Sequence, residues 1–144
     1  MRVEDLLKAK GSKVHIIDPD AIVPSAAAEL ANANVGALVV SRDGKKIDGI
    51  LSERDIVRGY AKHGGDVSHL HVSDLMTGAV ITCGASDQVS AVAQVMTSRR
   101  IRHLPVCAGD NLMGMVSIGD VLKSRIDEVQ LEANVLRDVA LAGR

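Results

Sequence analysis

The chain has almost no aromatic side chains: among 144 residues there is no Phe, no Trp and one Tyr, Tyr60. Its core must be built from Val, Ile, Leu, Ala and Met, and any flat ligand must lie against aliphatic groups and backbone. Stacking of bases on aromatic rings, the usual grip on single-stranded nucleic acid, is excluded. Excess charge of one sign is also missing. Seventeen Lys and Arg stand against 18 Asp and Glu, a net charge of −1, so nothing draws the chain as a whole to nucleic acid or anionic membrane. No apolar run is long enough to span a bilayer, and the opening Met1-Arg2-Val3-Glu4-Asp5 does not read as a signal peptide. Two cysteines without paired spacing point to a reduced, cytoplasmic setting. A nucleophile with a partnered base, a Walker loop and a Gly-x-Gly-x-x-Gly are all lacking, which places binding ahead of catalysis.

What the chain does contain, it contains twice. Gly49-Ile50-Leu51-Ser52-Glu53-Arg54-Asp55-Ile56-Val57 recurs as Gly114-Met115-Val116-Ser117-Ile118-Gly119-Asp120-Val121-Leu122, 65 residues further on. An internal repeat sets the architecture before any other signal does. Short helices are read at 3–7 and 72–76, and strands at Val14-His15-Ile16-Ile17 and Val80-Ile81-Thr82-Cys83. Helices follow at about 24–33, with Pro24 in the first turn, and at about 87–98, where Val89, Val92, Ala93 and Met96 share a face. Continuous apolar strands come next, at 36–40 and 103–107, with hairpin turns at 42–45 and 108–111. The Gly49 and Gly114 strands then run into helices starting near Glu53 and Ile118, and a polar linker runs from His63 to about His71. The expected fold is α/β: two pseudo-symmetric units ordered helix-strand-helix-strand-strand-helix, each with a small three-stranded sheet flanked by helices.

The last helix outruns its partner. Leu122, Ile126, Val129, Ala133, Leu136 and Ala140 alternate in steps of four and three, which is a heptad seam. Such a helix either packs on its own domain or carries an oligomer contact beyond the repeat.

Ser-x-x-Asp ahead of a helix is first of all a capping box: the serine hydroxyl accepts from the third backbone N–H and the acid reaches back. A duplicated fold would duplicate its caps, so repetition alone does not turn these residues into a ligand site. The wider pattern is more specific. The two Gly-apolar-apolar-Ser-x-x-Asp stretches at 49–55 and 114–120, with Gly36-Ala37-Leu38-Val39-Val40 and Arg99-Arg100-Ile101-Arg102-His103-Leu104-Pro105-Val106, resemble a tandem pair of CBS domains. These are the small modules first named from cystathionine β-synthase, and the pair is also called a Bateman module. The resemblance covers nearly the whole chain. It divides it into a first domain at 1–67, a second at 68–127 and a C-terminal helix extension at 128–144.

The resemblance implies adenine nucleotide bound in the cleft between the halves, with AMP foremost and ADP, ATP or NAD(H) also suited. Asp55 and Asp120 would accept from ribose hydroxyls. Ser52, Ser117 and Ile118 lie at helix N-termini, where backbone N–H groups welcome phosphate. Val14, Ile16, Val80 and Thr82 would wall the adenine. Arg102 and His103 would reach across to the phosphate of the nucleotide that Asp55 holds, Arg supplying a forked and permanent charge. The first half has Gly36-Ala37 at the equivalent place, so the Asp120 site needs another cation, with Lys13 and Arg54 as candidates. The implied protein is a regulatory sensor, not an enzyme. It would be a homodimer signalling to an unknown effector in trans, with no metal, nucleic acid or membrane partner. Two other classes remain: an interaction module without ligand, and a redox or metal sensor. For the latter, His63, His69 and His71 read as solvated linker residues, His15 as edge-facing, and Cys83 and Cys107 as small buried hydrophobes.

Overall fold

The computed structural model describes residues 1–143. The first half runs α1 (Val3–Lys10), β1 (Ile16–Ile17), α2 (Val23–Ala33), β2 (Ala37–Val40), β3 (Gly49–Ser52) and α3 (Glu53–His63). The expected linker is a 3-10 helix, Gly64–His69. The second half runs α4 (Val72–Leu75), α5 (Val89–Arg99), β4 (His103–Ala108), β5 (Asn111–Ser117) and α6 (Ile118–Ala142). Val89, Val92 and Met96 of α5 are buried on one face with Ala93 beside them, as their spacing predicts. The turn at 108–111 is tight, whereas the chain between β2 and β3 is a wider loop tied by Ser41, whose hydroxyl donates to Lys46 O and accepts from Gly44 N–H.

The expectation of three strands in each half holds only in the first. There β1 pairs parallel to β2 and β2 antiparallel to β3. The second sheet is the β4–β5 hairpin alone, and of Val80–Cys83 only Cys83 bridges to Val106. The reason is Pro105. It sits opposite Met115 as Val39 sits opposite Ile50. Val39 donates its N–H to His15 O at 3.0 Å and so anchors the first strand. A proline has no N–H to give, and the corresponding ladder cannot extend past Cys83. In the first half the strand is also shorter than expected, since Val14 and His15 precede β1.

Each half builds its core with the other half's opening helix. Val3, Leu6 and Leu7 of α1 lie in the cluster formed by Val89, Val92, Met96, Leu104, Val106 and Val116. Val72 of α4, with Leu75 and Met76, lies in the cluster of Ala26, Leu30, Leu38, Val40 and Leu51. Helices of eight and four residues cannot persist alone, so each depends on the sheet it covers. The repeated glycines make room for them. A Cβ at Gly49 would stand 2.7 Å from Met76 Sδ, and one at Gly114 would stand 2.9 Å from a Leu7 methyl. The glycine that opens each repeated motif is therefore a seat for a helix that has crossed over.

The N-terminal part of α6 packs on α5, α1 and β5, with Val121 and Ser124 buried. Beyond Glu128 every described residue is exposed. The helix does not pack on its own domain over this stretch.

Candidate nucleotide-type cleft between the two halves

Both Ser-x-x-Asp motifs are helix caps. The Ser52 hydroxyl accepts from Asp55 N–H at 3.3 Å, while Asp55 Oδ2 accepts from the Ser52 N–H at 2.9 Å and the Ser52 hydroxyl at 3.0 Å. Ser117 and Asp120 repeat the box at 3.1 and 2.9 Å. The cap occupies one carboxylate oxygen. Among the described residues, Oδ1 of each aspartate enters no hydrogen bond.

Two cavities open where the halves meet, and each is walled by both halves. The larger, of about 420 Å³, gathers Ser52, Arg54 and Asp55 from the start of α3, Val80 from the segment before Cys83, and Arg102 and His103 from the start of β4. The smaller, of about 310 Å³, gathers Lys13 and Val14 from the chain after α1, Ser117 and Asp120 from the start of α6, and His103 again. The family resemblance implies that Arg102, His103 and Asp55 share one cleft, and in the folded chain these three line the same cavity.

Four expectations need correction. Arg54 lines the Asp55 cavity and does not serve Asp120. Ile16 lines neither cavity; it lies in β1, and its Cδ1 approaches Gly44 in the neighbouring loop. Thr82 is exposed and lines neither, because the chain before Cys83 is not held in a ladder. Ile118 packs against the second core.

Other residues at the cavities were not singled out by sequence reasoning. Lys10 is the first. Its ammonium donates to Asp120 Oδ2 at 2.5 Å and to Met115 O at 2.7 Å, so it supplies the cation sought beside Asp120. Burial pushes the Asp120 carboxyl up, but the Lys10 ammonium and the Ser117 N–H outweigh it and hold the acid below its ordinary value. Asp55 has no such partner. Arg58 and Arg100 also line the larger cavity, and with Arg54 and Arg102 they give it four guanidinium groups against Glu53 and Asp55. Arg100 closes α5 in the left-handed conformation, φ 54°, as Asn34 closes α2 at φ 53°. Each of these two residues lines one cavity. Arg100 lies in the 99–106 stretch that carries the resemblance, but a short Arg pair reads as solvated, and its positive φ is a backbone feature a sequence does not display.

Gly36 and His103 line both cavities. Gly36 O accepts from Glu53 N–H at 3.0 Å, and Arg102 O from Ile118 N–H at 2.8 Å, so Gly36 and Arg102 hold equivalent places. The absent side chain has a use: a Cβ at Gly36 would stand 3.1 Å from the His103 ring. Burial lowers the His103 pKa, and the nearby Asp120 and Glu53 carboxylates only partly offset it. Burial thus favours the neutral imidazole. Both thiols are harder to ionise than a free cysteine, Cys83 through burial up to about 11. Neither is poised as a redox nucleophile. Among the described residues no group of His, Cys, Asp and Glu is arranged to hold a metal ion, and no helix is long and apolar enough to cross a membrane.

Comparison with known proteins agrees with this architecture. The chain matches the CBS domain family twice, over residues 3–62 and 72–127. It is 35% identical over 134 residues to the CBS domain-containing protein CBSX3, mitochondrial, of Arabidopsis thaliana, covering 88% of this chain and 65% of that one, so it spans just under two thirds of the plant protein. It superimposes on the CBS-domain containing protein ATU1752 of Agrobacterium tumefaciens with a TM-score of 0.84 and 37% identity, over 87% of this chain and 99% of that one. The CBS domain pair of protein MJ0100, solved in complex with 5′-methylthioadenosine and S-adenosyl-L-methionine, shares the fold at a TM-score of 0.76 and 24% identity, over 90% of this chain and 98% of that one. With both repeats matched and the fold shared, the chain belongs to the CBS domain family and carries two copies of the domain.

Proposed function

We propose that the protein is a sensor that binds an adenine nucleotide in the larger cavity and signals through the relative arrangement of its two halves. One observation carries this reading. Asp55, capped on one oxygen and free on the other, lines the same cavity of about 420 Å³ as four arginines, two of them from the opposite half. A carboxylate for a ribose diol and a cluster of guanidinium groups for phosphate are the two ends of a nucleotide. Between them Val80, Ile50 and Ile81 offer the aliphatic wall that a chain without aromatics must use. The adenosyl compounds held by the MJ0100 domain pair support the ligand class.

AMP fits this site first, because one phosphate suffices for Arg102 and its neighbours. The smaller cavity, with Lys10, Lys13, Ser117 and Asp120, is a second and unequal site, suited to a further nucleotide or to the far end of NAD or ATP. A ligand touching both halves favours one arrangement over another by its differential affinity alone. With no catalytic set at either cavity, the output is conformational. It passes to a second copy of the chain and to an effector in trans, in a reduced cytoplasmic setting.

The test exploits Tyr60 as the one aromatic residue. Extensively washed protein is scanned from about 240 to 300 nm, and any bound compound is released by heat and identified by mass spectrometry. An adenine band near 260 nm supports the reading. A clean spectrum followed by no heat on titration with AMP, ATP and NAD overturns it and leaves a ligand-free interaction module.

A further inference from the structure

The two repeats carry the same Ser-x-x-Asp motif in different surroundings, and the difference comes from the crossed helices. Leu7 of α1 sits over Gly114 as Met76 sits over Gly49. α4 ends at Leu75, and the chain then runs on extended. There Thr77 pairs with Ile50, donating its N–H to Ile50 O at 2.9 Å and accepting from Ile50 N–H at 3.0 Å. α1 instead stays helical through Lys10. Met115 holds the place of Ile50 in the second repeat, and its O accepts from the Lys10 ammonium at 2.7 Å rather than from a backbone N–H. The same ammonium donates to Asp120 Oδ2 at 2.5 Å. Lys10 lies three residues beyond Leu7, and three residues beyond Met76 is Ala79, which lines the larger cavity with a methyl group that can bond nothing.

We infer that Lys10 is the residue that makes the two cavities unequal: its ammonium takes the place of a ligand on Asp120 and keeps a second ribose out of the smaller cavity until it is displaced. This assignment rests on the reading of Asp55 and Asp120 as ribose acceptors given above. Asp120 is satisfied before any ligand arrives, by the Ser117 N–H and by a partner of opposite charge. Among the described residues, Asp55 has only its own cap. A diol gains most from a carboxylate whose charge is unmatched, and an ammonium already on the oxygen competes with it. The two side chains are 32% and 24% exposed, which spares the pair much of the screening that an open surface pair suffers. Two of the three Lys10 donors are spent on Asp120 and Met115, so the lysine is poorly placed to hold a phosphate as well. Its side chain also takes up room in the smaller cavity, which it lines. The Asp55 cavity therefore fills first, and a second nucleotide enters only at concentrations that compete with Lys10.

The test is calorimetric titration of the full chain with AMP, counting the nucleotides bound per chain. The parent should show one tight phase. Lys10→Ala should add a second phase, roughly 10-fold or more tighter than any second phase of the parent. Asp120→Asn placed in the Lys10→Ala background should remove that phase again. Lys10→Arg keeps the charge and should titrate as the parent does. Lys10→Gln keeps most of the side chain without the charge, should also open the second phase, and serves if thermal unfolding shows that Lys10→Ala is not folded. Two equal phases in the parent overturn the inference. So does a folded Lys10→Ala or Lys10→Gln protein whose second phase is no tighter than the parent's, for Lys10 would then assist the ligand rather than exclude it. If the parent binds no AMP while the Lys10 variants bind one through Asp120, the reading of the larger cavity fails and the role of Lys10 stands. If neither the parent nor the variants bind, both fail.

Discussion

Removing the Asp55 carboxylate separates its two roles. Oδ2 caps α3 through Ser52, and Oδ1 is left for a ligand. Asp55→Ala loses the reach-back half of the capping box, while the Ser52 hydroxyl still accepts from the backbone N–H at position 55, so the cost should lie toward the low end of the about 0.5–2 kcal/mol that a helix cap is worth. Asp55→Asn keeps an amide oxygen that can accept from the Ser52 N–H at 2.9 Å, so it should unfold closer to the parent. Binding discriminates differently. Two ribose hydroxyls donating to an ionised carboxylate make hydrogen bonds worth about 1.5–3 kcal/mol each. The neutral amide forfeits most of that, and the desolvated diol is poorly served by its N–H₂ end. At about 1.4 kcal/mol per factor of ten, losing most of two such bonds should make both variants bind AMP roughly 100-fold more weakly than the parent, or weaker still. Calorimetric titration at neutral pH gives the affinity, and urea unfolding of the same samples gives the stability. The reasoning fails if both variants fold and bind AMP as the parent does, for Asp55 would then be a cap and nothing more.

The crossed helices make a long-range prediction. Leu6 is 4% exposed in the second core, so Leu6→Ala should cost about 2–5 kcal/mol, and amide exchange should accelerate in β4 and β5 more than in β2 and β3. Acceleration confined to the first half would contradict the exchange of helices. His103 predicts a pH dependence of binding. Its pKa is lowered chiefly by burial, which favours the neutral ring in the free protein. Phosphate beside it favours the imidazolium, binding takes up a proton, and AMP affinity should rise as pH falls from about 8 to about 6. His103→Gln should flatten that part of the profile, and an unchanged slope would remove His103 from the site.

Much of this was legible without coordinates. The repeat set two like units, and the Ser-x-x-Asp spacing set both caps, because a cap is made within one turn of the chain. The face of α5 was legible in Val89, Val92 and Met96 for the same reason: helical period is local. Pro105 stood in plain sight as well, yet the expectation of three strands in each half overlooked its missing N–H, which ends the second sheet at Cys83. What tertiary structure alone decided were choices among distant partners. Val3, Leu6 and Leu7 announce an apolar stripe but not which core will take it. Lys10 is an ordinary surface lysine until the chain brings Asp120, 110 residues away, against it. Gly36 reads as the start of a strand until the His103 ring from the other half lies over it. Local pattern determines which groups a segment must bury or satisfy. Which distant group satisfies them depends on where the chain returns, and that is settled only when the two halves close on each other.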